Sequence, residues 1–170
     1  MFKESYKKIT SSDLFKDFAS KNPDLELCAV FFITDYFGND NKKTLDYKLG
    51  DKIFSFSLDE HDSIKMKEDK LVQETDERKF PVLQKVEPNL ESDPDLDEIE
   101  GIAKTRTLDE GIHAKFSKII SVLQKYEGRQ VWNLTCMLEG LIIIHIIIDS
   151  TTGEVVKFER KSMMDLIRKK

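Results

Sequence analysis

The run Leu141-Ile142-Ile143-Ile144-His145-Ile146-Ile147-Ile148 constrains this chain more than any other segment. Six of its eight residues are isoleucine. β-Branched side chains are stiff at χ1 and pack well on a pleated surface, so the run predicts a strand. A membrane-spanning helix needs about 20 apolar residues, so the run is too short to be one. Its apolar surface must be buried by folding or by association.

Leu138-Glu139-Gly140-Leu141 reads as a hairpin with a two-residue turn. That register sets Leu138 opposite Leu141, Cys136 opposite Ile143, Leu134 opposite His145 and Trp132 opposite Ile147. A second turn at Ser150-Thr151-Thr152-Gly153 adds Val156 and Phe158 to the same face. This face is expected to be core. The other face then carries Ile142, Ile144, Ile146 and Ile148 beside Met137. Burying each isoleucine is worth ~1.5–3 kcal/mol, so the stripe needs a cover. The N-terminal half, a C-terminal helix or a second copy of the chain could supply it. Cover from within the chain is favoured over a dimer seam. If the stripe is not covered internally, these five residues form the expected interaction face.

Upstream of the hairpin, Leu108, Ile112, Phe116, Ile119, Ile120, Leu123 and Tyr126 follow a helical period. Thr107 and Glu110 have capping-box spacing, and Gly128 stands where a C-cap belongs. A long helix from 107 is therefore expected, lying on the core face of the hairpin. Nearer the N-terminus, Thr10 to Ser12 offer caps for a helix bearing Leu14, Phe15, Phe18 and Ala19, ended by Asn22-Pro23. Leu25 to Phe37, Thr44 to Leu49 and Ile53 to Leu58 read as strands. Ser63 to Lys67 and Lys70 to Glu74 suggest a polar hairpin, and Phe80 to Val86 an edge strand. Asp93-Pro94 reads as a helix start. Ser162 caps a short terminal helix with Met163, Leu166 and Ile167 on one side.

These elements predict an α+β fold in which antiparallel sheet packs against helices. Residues 1–60 form an α-β-β-β half. Residues 61–106 form a polar connector with short strands and a short helix. Residues 107–170 supply a long helix, a three-stranded meander and a terminal helix. The halves are expected to form one compact unit, with two tandem α-β-β-β repeats as its pattern.

In the second half, a helix precedes a strand centred on Trp132. An apolar strand and Asp149-Ser150-Thr151-Thr152-Gly153-Glu154-Val155-Val156 follow. This order resembles PepSY-like and cystatin-like modules over about the last 60 residues. The resemblance implies an α-β-β-β fold and a link to peptidase regulation.

Charge narrows the partners. The formal net charge is −5 with pI near 5.3, and bases are scattered, so nucleic acid is not an expected partner. Membrane association is not expected either. Met1 to Lys8 lacks the apolar core of a secretory signal. Cys28 and Cys136 each sit in a strand-like run, as buried thiols in a reducing compartment would. The cytoplasm is the expected location.

Candidates for chemistry each meet a simpler explanation. His145 reads as a core histidine. Cys136, diagonal to it in the expected register, suggests a Cys–His nucleophile pair, but diagonal cross-strand neighbours are about 7–8 Å apart. Glu87 to Glu100 holds seven acids and no base, yet Asp93, Asp95, Asp97 and Glu98 lack the glycine and terminal glutamate of a calcium loop. His61, His113 and His145 have no zinc-ligand spacing. Asp35, Asp46 and Asp51 read as turn residues, and Phe31, Phe32, Tyr36 and Phe37 mainly as core. No catalytic residue, metal or cofactor is expected. The sequence is best read as a non-enzymatic module binding a protein or a second copy of itself. The alternative is a small-ligand binder or enzyme with a pocket between helix and curved sheet.

Overall fold

Alternation of buried and open positions, with glycines or αL residues at the reversals, makes strand the commonest regular structure among the described residues. The computed structural model describes residues 1–70 and 83–162. Helices α1 (Phe2–Thr10) and α2 (Asp13–Lys21) lead into β1 (Glu26–Asp35), β2 (Lys42–Leu49), β3 (Lys52–Leu58) and β4 (Ile64–Lys70). Helix α3 (Leu96–Asp109) leads into β5 (Phe116–Tyr126), β6 (Arg129–Leu138), β7 (Ile142–Asp149) and β8 (Val155–Ser162).

All eight strands join one sheet in the order β4-β3-β2-β1-β5-β6-β7-β8. Each neighbouring pair is antiparallel. The expected α+β fold, antiparallel sheet packed against helices in tandem α-β-β-β halves, is thus corrected to a mainly β fold: among the described residues, one large sheet with three short helices. Two four-stranded meanders meet at the centre, where Val30 faces Leu123, Phe31 faces Val122 and Phe32 faces Ser121.

The long helix expected from 107 is the main error. Its capping box marks a helix end instead. Thr107 lies inside α3 and donates its hydroxyl to the Ala103 carbonyl (2.8 Å), while Glu110 is the C-cap. Residues Phe116 to Tyr126 are strand β5. Ile119, Ser121 and Leu123 alternate on the covered face, and Ile120 and Val122 project from the other. A central strand is apolar on both faces, so its sequence also satisfies a helical period.

Other elements shift less. Ser12 caps α2 as expected, accepting from the Phe15 N–H (3.2 Å). Helix α1 was not anticipated. The polar hairpin expected at 63–74 is represented by one strand, β4, and 71–74 lie outside the described residues. Of the edge strand expected at 80–86, residues 83–86 are not strand, and 80–82 lie outside the described residues. Asp95, not Asp93, caps α3, accepting from the Leu96 N–H (2.7 Å). Ser162 ends β8 rather than capping a helix, and 163–170 lie outside the described residues.

The three described helices pack on one face of the sheet, here the inner face. Phe2 of α1 meets Phe32 and Trp132 edge-on, with ring centroids 6.0 and 5.4 Å apart. Phe15 of α2 sits 5.0 Å from Tyr47 and 5.1 Å from Phe56. Leu96, Ile99 and Ala103 of α3 are fully buried in the same core. Asp95 also accepts the Phe2 and Lys3 N–H groups of α1 (3.0 and 3.2 Å), so one carboxylate caps two helices.

Candidate functional site

The β6–β7 turn decides which side chains reach which face. Gly140 (φ 85°) and Leu141 (φ 60°) are both left-handed, and the turn spans three residues, not two. Trp132 is therefore opposite Ile148, Leu134 opposite Ile146, Cys136 opposite Ile144 and Leu138 opposite Ile142. A one-residue slip exchanges the faces of a strand. Ile144, Ile146 and Ile148, expected on an interaction face, are buried in the inner core beneath the helices. Ile142 packs against that core, while Met137 stays on the opposite, outer face.

His145 moves the other way. It lies on the outer face and hydrogen-bonds Asn133 through Nε2. Burial holds its pKa below the ordinary value, and Lys157 adds to the depression against the opposing pull of Glu159. Cys136 points into the inner core, where burial pushes its thiol up to about 12. The two project from opposite faces of the sheet and form no nucleophile pair.

The remaining candidates separate as well. Asp35 holds the β1–β2 turn, accepting the N–H groups of Phe37, Gly38 and Asp40 (3.2, 3.0 and 3.1 Å). Asp46 accepts from Ser55 (2.6 Å), and Asp51 lies at the opposite end of the sheet in the β2–β3 turn. Asp93 accepts the Asn89 N–H (2.8 Å). Among the described residues no three His, Cys, Asp or Glu side chains are grouped to hold a metal ion. His61 and His113 are exposed, whereas His145 is half-buried. Phe32 is core, whereas Phe31 faces outward and Tyr36 and Phe37 are exposed at the β1–β2 turn.

One buried carboxylate is not marked by any pattern in the sequence. Glu100 of α3 is 5% exposed and accepts from the Thr34 hydroxyl (2.7 Å) and the Tyr36 hydroxyl (3.5 Å). Burial raises its pKa, against the opposing pull of the Thr34 hydrogen bond and of Lys104. Lys104 lies 4.4 Å above the Tyr36 ring. The acidic surroundings of Glu100 in sequence disguised it as solvated.

Two surfaces could take a partner. The first is the outer face, on which none of the described helices packs. Phe31, Ile120, Val122, Met137 and Ile143 are partly exposed there, around the buried Ile147. Lys118 stands beside them, and Lys157 and Lys161 flank Glu159 on β8 at 3.6 and 3.5 Å. Lys65 and Lys67 occupy the corresponding face of β4. The second surface is a half-open groove of about 800 Å³ at one end of the sheet. Phe32, Lys43 and Leu58 lie in one row across its floor. The β1–β2 turn contributes Asn39 and Asn41, and the β3–β4 turn contributes Asp59, Glu60 and Asp62.

No family model matches this chain, and no curated protein matches it. Among solved structures, it is similar to a candidate lipoprotein from Clostridium difficile 630. The TM-score is 0.60 at 16% identity, with 88% of this chain and 91% of that chain covered. At that identity the likeness shows the fold alone. No described helix is long and apolar enough to cross a membrane.

Proposed function

We propose that this chain is a protein-binding module whose docking surface is the outer face of the sheet. The observation that carries this reading is the one-sided placement of the helices. The described helices cover one face, and among the described residues the other presents Phe31, Ile120, Val122 and Ile143 from three different strands. Partly exposed apolar groups rimmed by charge are the usual anatomy of a docking surface.

The charge on that face favours a different protein over a second copy. Lys65, Lys67, Lys118, Lys157 and Lys161 project from it, and its bases outnumber its acids, although the whole chain carries −5. Two copies stacked on this face would oppose like charges, whereas an acidic partner would be attracted.

A photo-crosslinking residue at Val122 in source cells tests this. The expected result is an adduct with an acidic protein, weakened by Lys157→Glu with Lys161→Glu and by high salt, and absent when the crosslinker replaces Lys16 of α2. Adducts between copies would replace the reading with self-association. Equal labelling from Val122 and Lys16 would overturn it. The compartment is a separate matter. Cys28 and Cys136 are unpaired thiols, which supports the cytoplasm, and the lipoprotein-like neighbour supports an extracytoplasmic site. Cell fractionation distinguishes them.

A further inference from the structure

We propose that β8, at the edge of the sheet, pairs antiparallel with the β8 of a second copy of this chain, about a two-fold axis at Phe158. The pairing uses the strand edge and stands apart from the outer-face reading. Three features of the edge point to it.

The first is the main chain. Among the described residues β8 is hydrogen-bonded to β7 alone. The Asp149 N–H is bonded to Glu154 on the β8 side, and the Ser150 N–H to Gln130 on the β6 side. Successive residues of an antiparallel strand alternate in this way. Ile143, His145 and Ile147 are therefore bonded toward β8, opposite Lys161, Glu159 and Lys157. The N–H and C=O groups of Phe158 and Arg160 are directed at the edge instead. A row of such groups is a template for another strand.

The second is the order of charges. Glu159 lies between Lys157 and Lys161 on the outer face, at 3.6 and 3.5 Å. With the axis at Phe158, Lys157 of each copy stands opposite the partner's Glu159. Opposite charges in facing positions stabilise a ladder, and like charges weaken it. An axis at Glu159 would set Glu159 against itself and Lys157 against Lys161. An axis at Lys157 or Arg160 would set that cation against itself. The Phe158 register avoids all of these, which is why a second copy suits this edge. Val156, the extra residue of a bulge opposite Ile147, limits the paired stretch at one end, so the dimer is expected to be reversible.

The third is helix α3, which runs beside the edge. Arg106 lies 5.6 Å over the Phe158 ring. Gly101, Ile102 and Thr105 of α3, with Val155 of β8, help to line a shallow groove of about 630 Å³. A strand added at the edge therefore meets apolar surface on its inner side. A two-fold pairing uses the same edge on both copies, so it closes at two.

Analytical ultracentrifugation of the full chain tests this. The wild type should show a monomer–dimer equilibrium with no larger species. Lys157→Glu should weaken the dimer about tenfold or more, because it sets like charges in both facing positions. Glu159→Lys should do the same, and the two together should restore the dimer. Lys16→Glu, on the remote α2, should leave it unchanged. Phe158→Cys should cross-link two copies through a disulfide on air oxidation. Arg160→Cys should not, because this register offsets the two Arg160 positions. Melting temperatures show that each variant is folded. A wild type that stays monomeric at millimolar concentration would overturn the edge pairing. A dimer that Lys157→Glu leaves intact, or that the double exchange fails to restore, would overturn the register and with it the proposal. Growth beyond two copies would overturn the two-fold. Val122 lies on β5, three strands in from this edge, so crosslinks from it report on the outer face separately.

Discussion

Trp132 lies directly opposite Ile148 across the β6–β7 ladder, and both are buried beneath Phe2 and its neighbours. This pairing places Ile146 in the inner core and Ile143 on the outer face. Ile146→Ala is expected to cost about 2–5 kcal/mol in urea unfolding, and Ile143→Ala clearly less. Ile144→Asp should abolish folding, because it sets an unpaired carboxylate in apolar surroundings. Equal losses for the two alanine variants would contradict the register.

Leu141 stores strain in the same hairpin. It has φ 60° and is 56% exposed, so it accepts a left-handed backbone with little packing in return. Leu141→Gly should raise stability by about 1 kcal/mol, the order of the left-handed penalty for a residue with a Cβ. A shift of the thermal midpoint upward checks it, and a fall would show that the leucine contributes contacts worth more than the strain.

Glu100 makes stability depend on pH. Its pKa in the fold is raised by burial, so the folded state holds the proton more tightly than the unfolded chain does. The stabilising proton is fully present below the ordinary glutamate value and is lost as pH rises through the raised value. Stability should therefore fall across that window. Glu100→Gln should remove this part of the slope and stabilise the protein at neutral pH. Chemical unfolding at a series of pH values measures the difference between the two slopes.

The thiols should be inert. Burial pushes both Cys28 and Cys136 up to about 12, and neither has accessible surface to speak of. Only the thiolate reacts readily, so alkylation near neutral pH should wait for unfolding. Mass spectrometry after iodoacetamide treatment, with and without denaturant, counts the labelled sites. Rapid labelling of the native chain would refute this.

The first meander was largely legible in the sequence, because Leu45, Tyr47, Phe54 and Phe56 alternate cleanly with polar residues on strands with one covered face. The centre was not. In β5, Ile120 and Val122 are apolar opposite Ile119 and Leu123, and without alternation a strand and a helix look alike. The outer face was hidden by one backbone angle. Nothing in Glu139-Gly140-Leu141 announces that a leucine adopts positive φ, and that single residue decides which isoleucines are covered. Glu100 and the end groove depend on contacts between segments far apart in the chain, such as Thr34 with Glu100, which local pattern does not report.

The abutment of β1 and β5 has a consequence for how the chain finds its fold. Within each meander, strands that pair are consecutive in sequence, so their hairpins close short loops. The ladder from Val30–Leu123 to Asp35–Lys118 instead joins strands separated by the whole of β2, β3, β4 and α3. It therefore carries the main loop-closure entropy of the sheet. Stopped-flow refolding should show Leu123→Ala slowing folding, while Phe158→Ala in the β7–β8 hairpin mainly speeds unfolding. The seam at the middle of the sheet is where the kinetic barrier of this protein is expected to reside.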